Sequence, residues 1–173
     1  MTYDISIIRP EMHHDDVKLR GRDYPAERRR QIRKGLQTLH TMEVMAVNIY
    51  KSQIGPKPCA LNTQLSAALC NELTHMQDFL TKLFEFGFKP SKLRWTYWLV
   101  GYVFGLSSRT MGEAVILKTA VWTEEKAIAH YTKLLAGVPW DEETRSFVEK
   151  DQADEIGHAE RWRELLRDRS STC

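Results

Sequence analysis

Four stretches of the chain repeat one pattern, with apolar side chains three and four residues apart and an acid at mid-stripe. The first runs Leu36, His40, Glu43, Val47, Tyr50, Ile54, in steps of 4, 3, 4, 3 and 4, the spacing of a buried helical seam. The second runs Leu61, Leu65, Ala68, Glu72, His75, Phe79, Phe86, the third Leu117, Ala120, Glu124, Ile128, Tyr131, Leu135, and the fourth Val148, Asp151, Glu155, His158, Trp162, Leu165. Turn residues separate the stripes. Asp23 and Pro25 open a helix expected over residues 25–54, and Gly55-Pro56-Lys57-Pro58 ends it. A second helix is expected over 61–86, with Asn62 or Thr63 as alternative caps and Gly87 and Pro90 closing it. Residues 91–112 read as an extra apolar helical segment, kinked or interrupted near Gly105 or Gly112. The next helix follows to about residue 136. After Gly137-Val138-Pro139-Trp140, Asp141 caps a last helix that reaches about residue 166.

A carboxylate inside a buried stripe is costly unless it is paired or bound to metal. Two of the stripes carry the same spelling, Glu72-Leu73-Thr74-His75 and Glu155-Ile156-Gly157-His158. Residues i and i+3 share a helix face one turn apart, so each pair can grip one ion. Two such pairs plus a glutamate from each of two further helices form the dimetal site of a ferritin-like bundle. The expected fold is therefore all-α, a ferritin-like four-helix bundle with a dimetal carboxylate centre and an extra apolar helical segment. Its ligands are Glu43, Glu72, His75, Glu124, Glu155 and His158. Four carboxylates and two imidazoles suit two divalent ions of iron or manganese type. Glu113 shares a face with Glu124 but lies about 16 Å along the helix, and Glu125 points about 100° away and is the fallback. Metal-bound histidines usually donate their outer N–H to a neighbour, so Asp154 is assigned to His75 and Asn71 to His158, each across the bundle. His40 and His130 read as core histidines, and Tyr50 and Tyr131 as core residues able to line an approach to the metals. A third Glu-x-x-His spelling, Glu11-Met12-His13-His14, has no apolar stripe around it and is set aside.

At 173 residues the chain reads as one domain over residues 23–168, with an irregular tail over 1–22 and a frayed end over 169–173. Hydrophobic content of 42% with 28% charged residues is ordinary for a globular protein. The net charge of +2 conceals a basic stretch over residues 18–34, read either as a solvated helix start or as contact with an anionic surface. No base-reading motif accompanies it, so no nucleic-acid partner is expected. Cys59, Cys70 and Cys173 show no metal or redox spacing. Their odd number, without a signal pattern at the start, leads to a reducing, cytoplasmic location. The apolar run over residues 95–106 is too short to span a bilayer, which takes about 20 residues. It fits either a buried helix or a peripheral contact at the inner face of a membrane.

These residues resemble the demethoxyubiquinone hydroxylase family, the di-iron monooxygenases of ubiquinone biosynthesis. The likeness covers about residues 37–162. LHTMEVMAVNIYKSQ is similar to the family's first ligand motif through His40, Glu43, Ile49, Tyr50 and Gln53, and NELTH to the second through Glu72 and His75. TEEKAIAHY places Glu124, His130 and Tyr131 at family spacing, DEIGH carries Glu155 and His158, and GFKPSKLRWTYWLVGYVFG matches the family's turn and apolar helix. Leu39 and Met42 depart from the usual Asp and Gly, and family members are expected to continue through another apolar helix, so a divergent, C-terminally short member is the expectation. The resemblance implies two iron ions, with manganese left open, and O₂, an electron donor and a quinone or quinol substrate; an apolar bundle face of this kind leads to the expectation of a homodimer. The alternatives are a di-iron oxidase or hydroxylase of another substrate, a non-enzymatic iron-binding bundle, or a structural bundle with buried ion pairs.

Overall fold

The computed structural model describes residues 13–168. A 3-10 turn at His14–Asp16 precedes five helices: α1 (Ala26–Gln53), α2 (Ala60–Glu85), α3 (Arg94–Thr110), α4 (Glu113–Gly137) and α5 (Glu142–Arg167). No strand occurs among the described residues. The expected tail over 169–173 lies outside them, as do Met1 to Met12, including Glu11 of the discarded spelling; His13 and His14 are exposed.

Local chemistry sets most boundaries. Asp141 caps α5 by accepting a hydrogen bond from the Thr144 amide at 3.1 Å. Pro25 stands at the N-cap of α1. The expected caps of α2 are displaced, because the helix starts at Ala60 with Cys59 before it. Asn62, inside the first turn, instead ties down the preceding loop, accepting from the Gly55 amide at 2.9 Å and donating to the carbonyls of Gly55 (3.1 Å) and Lys57 (2.6 Å). α3 continues unbroken through Gly105. The chain breaks at Gly112, whose φ of 94° is open to glycine.

Cross-helix contacts fix the directions. Tyr131 of α4 bonds Glu43 of α1, while Tyr50 of α1 bonds Glu124 of α4, so these helices are antiparallel. Asn71 meets His158 and His75 meets Glu155, which makes α2 and α5 antiparallel. Gly101 lies against Met45 and Gly105 against Ile49, and Gln53 bonds Ser108 at 2.9 Å, so α3 runs parallel to α1. The order is up-down-down-up, with α3 as the crossover that carries the chain back along the bundle. That is the connectivity of a ferritin-like fold.

The core is divided. One apolar cluster gathers Ile32, Leu36, Phe79, Leu83, Tyr131 and Val148, and a second gathers Leu61, Leu65, Ile116, Leu117, Ala120 and Trp162. The mid-stripe acids lie between them. Each fully buried Leu, Ile or Phe contributes about 1.5–3 kcal/mol, so the two clusters carry the stability against which the polar middle is set.

The basic stretch over 18–34 is largely committed within the fold. Arg20, its side chain 14% exposed, bonds Glu85 at 2.6 Å and also pairs with Asp141 and Glu143. Lys82 joins Glu85 at 2.9 Å and Glu143 at 3.3 Å. Arg28 donates to the carbonyls of Pro139 and Trp140, and Arg29 to that of Phe86. These contacts clamp the entry to α1 onto the end of α2 and the α4–α5 turn.

α3 departs most from a buried helix. It buries only Gly101, Gly105 and Ser108. A Cβ on Gly101 or Gly105 would collide with the carbonyl oxygen of Met45 or Ile49. Small residues thus face α1, and the large apolar ones point outward, with Trp95 64%, Leu99 54% and Phe104 46% exposed.

Candidate metal centre

The fold brings all six expected residues together between the two apolar clusters. Glu124 and Glu155 are 0% exposed, Glu72 1%, and Glu43, His75 and His158 2%. Their ligand atoms form two overlapping groups, Glu43, Glu72, His75, Glu155 and Glu72, Glu124, Glu155, His158, with the atoms of each within 4.8 Å of one another. Glu72 and Glu155 belong to both groups, so they stand where bridging carboxylates would. Glu43 with His75, and Glu124 with His158, stand at the two ends.

The histidine rings are oriented alike. Nδ1 of His75 lies 3.1 Å from Glu155, and Nδ1 of His158 lies 3.4 Å from Glu72 and 3.5 Å from Glu155. Each Nε2 faces away from the cluster. That of His75 is 3.4 Å from Asp154, and that of His158 is 3.0 Å from the Asn71 amide. Both assignments made across the bundle are met. With Nδ1 turned to a cation, the Nε2–H of His75 donates to Asp154, whereas the Nε2–H of His158 needs the Asn71 amide turned to present its Oδ1 in place of the nitrogen.

Glu125 lies outside the cluster, half-exposed and paired with Arg163 at 2.7 Å. Glu113 sits in the first turn of α4, far from the cluster. His130 is exposed and bonded to the Lys126 carbonyl at 2.7 Å. His40 is buried but lines a different cleft.

Tyr50 and Tyr131 do more than pack. Tyr131 donates to Glu43 at 2.7 Å and Tyr50 donates to Glu124, where Trp162 Nε1 also donates at 3.3 Å. Burial and the adjacent carboxylates hold both phenols well above their usual range, so they remain protonated donors. Asp151 was read only as part of a stripe. It is fully buried 4.0 Å from His75 Nε2, and burial pushes it up to about 7. Its signal was present: an acid one turn before Glu155 on the same seam.

The electrostatics are those of crowded carboxylates. Burial, with the Glu155 charge second, pushes Glu43 up to about 7 and drives Glu72 and Glu124 well above the ordinary carboxylate range. Burial also opposes ionisation of Glu155, but the His158 and His75 rings beside it hold it down at about 2. Burial likewise disfavours the charged form of His75, yet Glu155 and the neighbouring acids outweigh it and raise the ring to about 10. Both oxygens of Glu72, Oε2 of Glu124 and Glu155, and Nδ1 of His158 have no hydrogen-bond partner among the described residues. Buried polar atoms are normally satisfied, and five orphaned ligand-type atoms around one point are what a pair of bound cations would satisfy.

A cavity of about 480 Å³ reaches Glu43, Glu72 and Glu124 from outside, between α1 and α4. Met42, Met45 and Ala127 line its walls, and Leu93, Tyr97 and Trp122 stand at its outer part. No helix among the described residues is long and apolar enough to cross a membrane.

The fold and the cluster define a class: ferritin-like helical bundles whose central carboxylates and histidines can hold metal. The sequence comparisons narrow it. The model of the family described as "Ubiquinone biosynthesis protein COQ7" matches residues 30–167, and the chain belongs to that family. Relatives named 3-demethoxyubiquinol 3-hydroxylase include that of Cupriavidus metallidurans, 27% identical over 136 residues, which cover 78% of this chain and 66% of the relative. That of Alcanivorax borkumensis is 26% identical over 137 residues, covering 78% and 63%, and that of Albidiferax ferrireducens 30% over 122 residues, covering 69% and 58%. The chain thus spans 58–66% of the length of these curated relatives.

Proposed function

We propose that this protein is a di-iron monooxygenase that hydroxylates the ring of a quinol or quinone, a demethoxyubiquinol-like intermediate of ubiquinone biosynthesis. The carrying observation is the pair of overlapping four-residue groups sharing Glu72 and Glu155, with a cavity that opens onto three of the four carboxylates. The relatives' printed name supplies the substrate class.

Glu43, Glu72, His75, Glu124, Glu155 and His158 would hold two iron ions. The bound pair supplies the activation of O₂ that organic side chains cannot. One oxygen atom converts a ring C–H to C–OH, the other leaves as water, and an electron donor provides two electrons with two protons. The chain's part is positioning. Asp154 and Asn71 fix the His75 and His158 rings. Tyr131 and Tyr50 keep a proton at Glu43 Oε1 and Glu124 Oε1, steadying those carboxylates as charge at the centre changes. Met42, Met45 and Ala127 offer an apolar slot for a flat ring and keep bulk water from it. The same ligand types accept manganese, and turnover with each metal decides between them.

A lipid-like quinol would arrive from a membrane. The exposed outer face of α3 continues to Tyr97, beside the cavity, and we assign it to peripheral contact with the inner face of a membrane. Co-sedimentation with vesicles tests this contact, and a homodimer that buries the same face is the competing outcome.

The deciding experiment loads the protein with ferrous iron anaerobically and counts iron in wild type and Glu155→Ala. About two irons per chain, lost in the variant, followed by O₂-dependent hydroxylation of a demethoxyubiquinol, is the expected result. Stoichiometric iron with no turnover would leave an iron-binding bundle, and no bound metal would leave a helical bundle with buried ion pairs.

A further inference from the structure

A second cavity lies on the other side of α1, bounded by α1, α2 and the start of α3. It measures about 420 Å³ and shares no lining residue with the cavity at the metal cluster. Its walls divide by chemistry. Met76, Leu80, Trp95 and Trp98 supply an apolar body, while His40, Lys51 and Arg94 supply nitrogen groups, and no carboxylate lines it.

These nitrogen groups are not neutralised within the fold. Arg94 reaches only backbone carbonyls, Pro90 at 3.5 Å and Ser91 at 3.3 Å, and its guanidinium lies 5.1 Å from the Trp95 ring centre. Lys51 is exposed and lies 11 residues beyond His40, about 16 Å along α1. His40 is 4% exposed, and its Nδ1 has no hydrogen-bond partner among the described residues. Leaving a buried ring nitrogen unpaired is costly. The first turn of α3 also borders the cleft and contains no acid to offset the positive end of the helix dipole. A free guanidinium, a helix start and an unpartnered imidazole therefore meet at one end of an apolar, tryptophan-walled slot, with Lys51 at its far end.

We propose that this cleft is a second ligand site, taking a single-chain anionic amphiphile. Its acidic head sits at Arg94 within reach of His40, and its apolar chain runs along Trp95, Trp98 and Met76 toward the Lys51 end. A neutral amphiphile satisfies the walls but not the guanidinium, and a free inorganic anion satisfies the guanidinium but not the walls. The site does not depend on the metal reading, since α1 separates the two cavities.

Tryptophan quenching by ω-bromododecanoate, with ω-bromododecanol as the uncharged control, tests the proposal on the full chain. The acid should quench saturably and bind at least about tenfold more tightly than the alcohol, as expected for a charge-assisted contact. Arg94→Gln should bring the acid down to the alcohol's level, while Lys51→Gln, at the far end of the cleft, should leave acid binding in place, both with an unchanged helical circular dichroism signal. Trp98→Phe should lose most of the quench, whereas Trp122→Phe, at the metal-side cavity, should keep it. Equal binding of acid and alcohol, indifference to Arg94→Gln, or loss of the quench in Trp122→Phe alone would each overturn the proposal. Quenching seen only with brominated anionic vesicles and unaffected by Arg94→Gln would also overturn it, leaving surface adsorption alone. Iron content plays no part in the readout, so failure here leaves the metal centre untouched.

Discussion

α3 and the middle of the bundle invert the usual relation between polarity and burial. α3 carries the longest apolar run in the chain, yet Trp95, Leu99 and Phe104 are half-exposed or more. The middle of the bundle holds four glutamates, and none is more than 2% exposed. Geometry explains both. α3 approaches α1 through Gly101, Gly105 and Ser108, and a helix that docks on its small residues must turn its large ones outward. The glutamates are placed by the seams of α1, α2, α4 and α5, whose apolar residues close over them from both ends. In each region the fold tolerates an unfavourable surface, and in each that surface is where a ligand of matching chemistry gains most by binding.

The comparison breaks most decisively at Glu72. Its two oxygens have no hydrogen-bond partner among the described residues, and burial with three neighbouring glutamates keeps its carboxyl well above the ordinary range. Glu72→Gln removes a carboxyl whose ionisation the metal-free fold opposes and, on the proposed reading, a ligand that the metal would need. The expected outcome is loss of the two-iron stoichiometry together with a gain of about 1–3 kcal/mol in metal-free stability. Iron analysis and chemical denaturation check both halves. A metal-free variant that is less stable than wild type would mean the carboxylate is satisfied in the folded protein.

The next largest effect is the pH dependence of the metal-free protein. Burial raises Glu43 and Asp151 to about 7 from 4.5 and 3.8, so the folded chain holds protons there that the unfolded chain releases. His75, raised to about 10 from 6.5, acts in the same direction. A state that binds more protons loses stability as pH rises. His40, lowered to about 4, works the other way, but its contribution is complete above 6.5. Melting temperature without metal should therefore fall between pH 6 and pH 8. Iron binding replaces those protons, so the slope of the loaded protein should flatten or reverse. A parallel decline in both forms would exclude the cluster as the source.

The outer groups give a graded version of the same test. Loss of a hydrogen-bond partner to a metal-bound histidine typically weakens metal binding about 10–100-fold. Asn71→Ala is expected toward the upper end, because among the described residues no other side chain hydrogen-bonds His158 Nε2. Asp154→Ala is expected toward the lower end, because Asp151 stands 4.0 Å from His75 Nε2 and can take over. Competition with a chelator of known affinity ranks the two, and the reverse order would show that Asp151 does not substitute.

The parts readable in the sequence were those set by local rules. Helical period placed the seams, Gly and Pro placed the breaks, and the i, i+3 spelling placed Glu72 with His75 and Glu155 with His158. Even the cross-bundle partners Asp154 and Asn71 followed, because a ligand seam fixes which neighbours face it. What the pattern left open depends on other elements. Asn62 was read as a helix cap, but its amide is engaged by the Gly55 and Lys57 backbone brought back by the loop. The basic stretch was read as an exposed face because nothing local reveals that Arg20 meets Glu85, 65 residues away. Tyr50 and Tyr131 looked like core, since their hydroxyl partners sit on the opposing helix. The outward face of α3 was equally undetermined. Its apolar run fits a buried or an exposed helix, and only the approach of Gly101 and Gly105 to α1 decides between them.

That face yields the smallest expected effect on stability, and this smallness is what makes it informative. Leu99 and Val103 are 54% and 49% exposed, and surface substitutions away from packed features usually change stability by within about 0.5 kcal/mol. A Leu99→Ser, Val103→Ser double variant should melt like wild type and bind iron normally, because neither residue touches the cluster. Its partition onto lipid vesicles should nevertheless fall, since each apolar group that leaves water on membrane contact adds to that binding. Unchanged vesicle binding, or a shift from dimer to monomer on sedimentation, would reassign the face to a second copy of the chain. A large drop in melting temperature would show that α3 packs more tightly than its exposure implies, and the contrast with the bundle's centre would then rest on the glutamates alone.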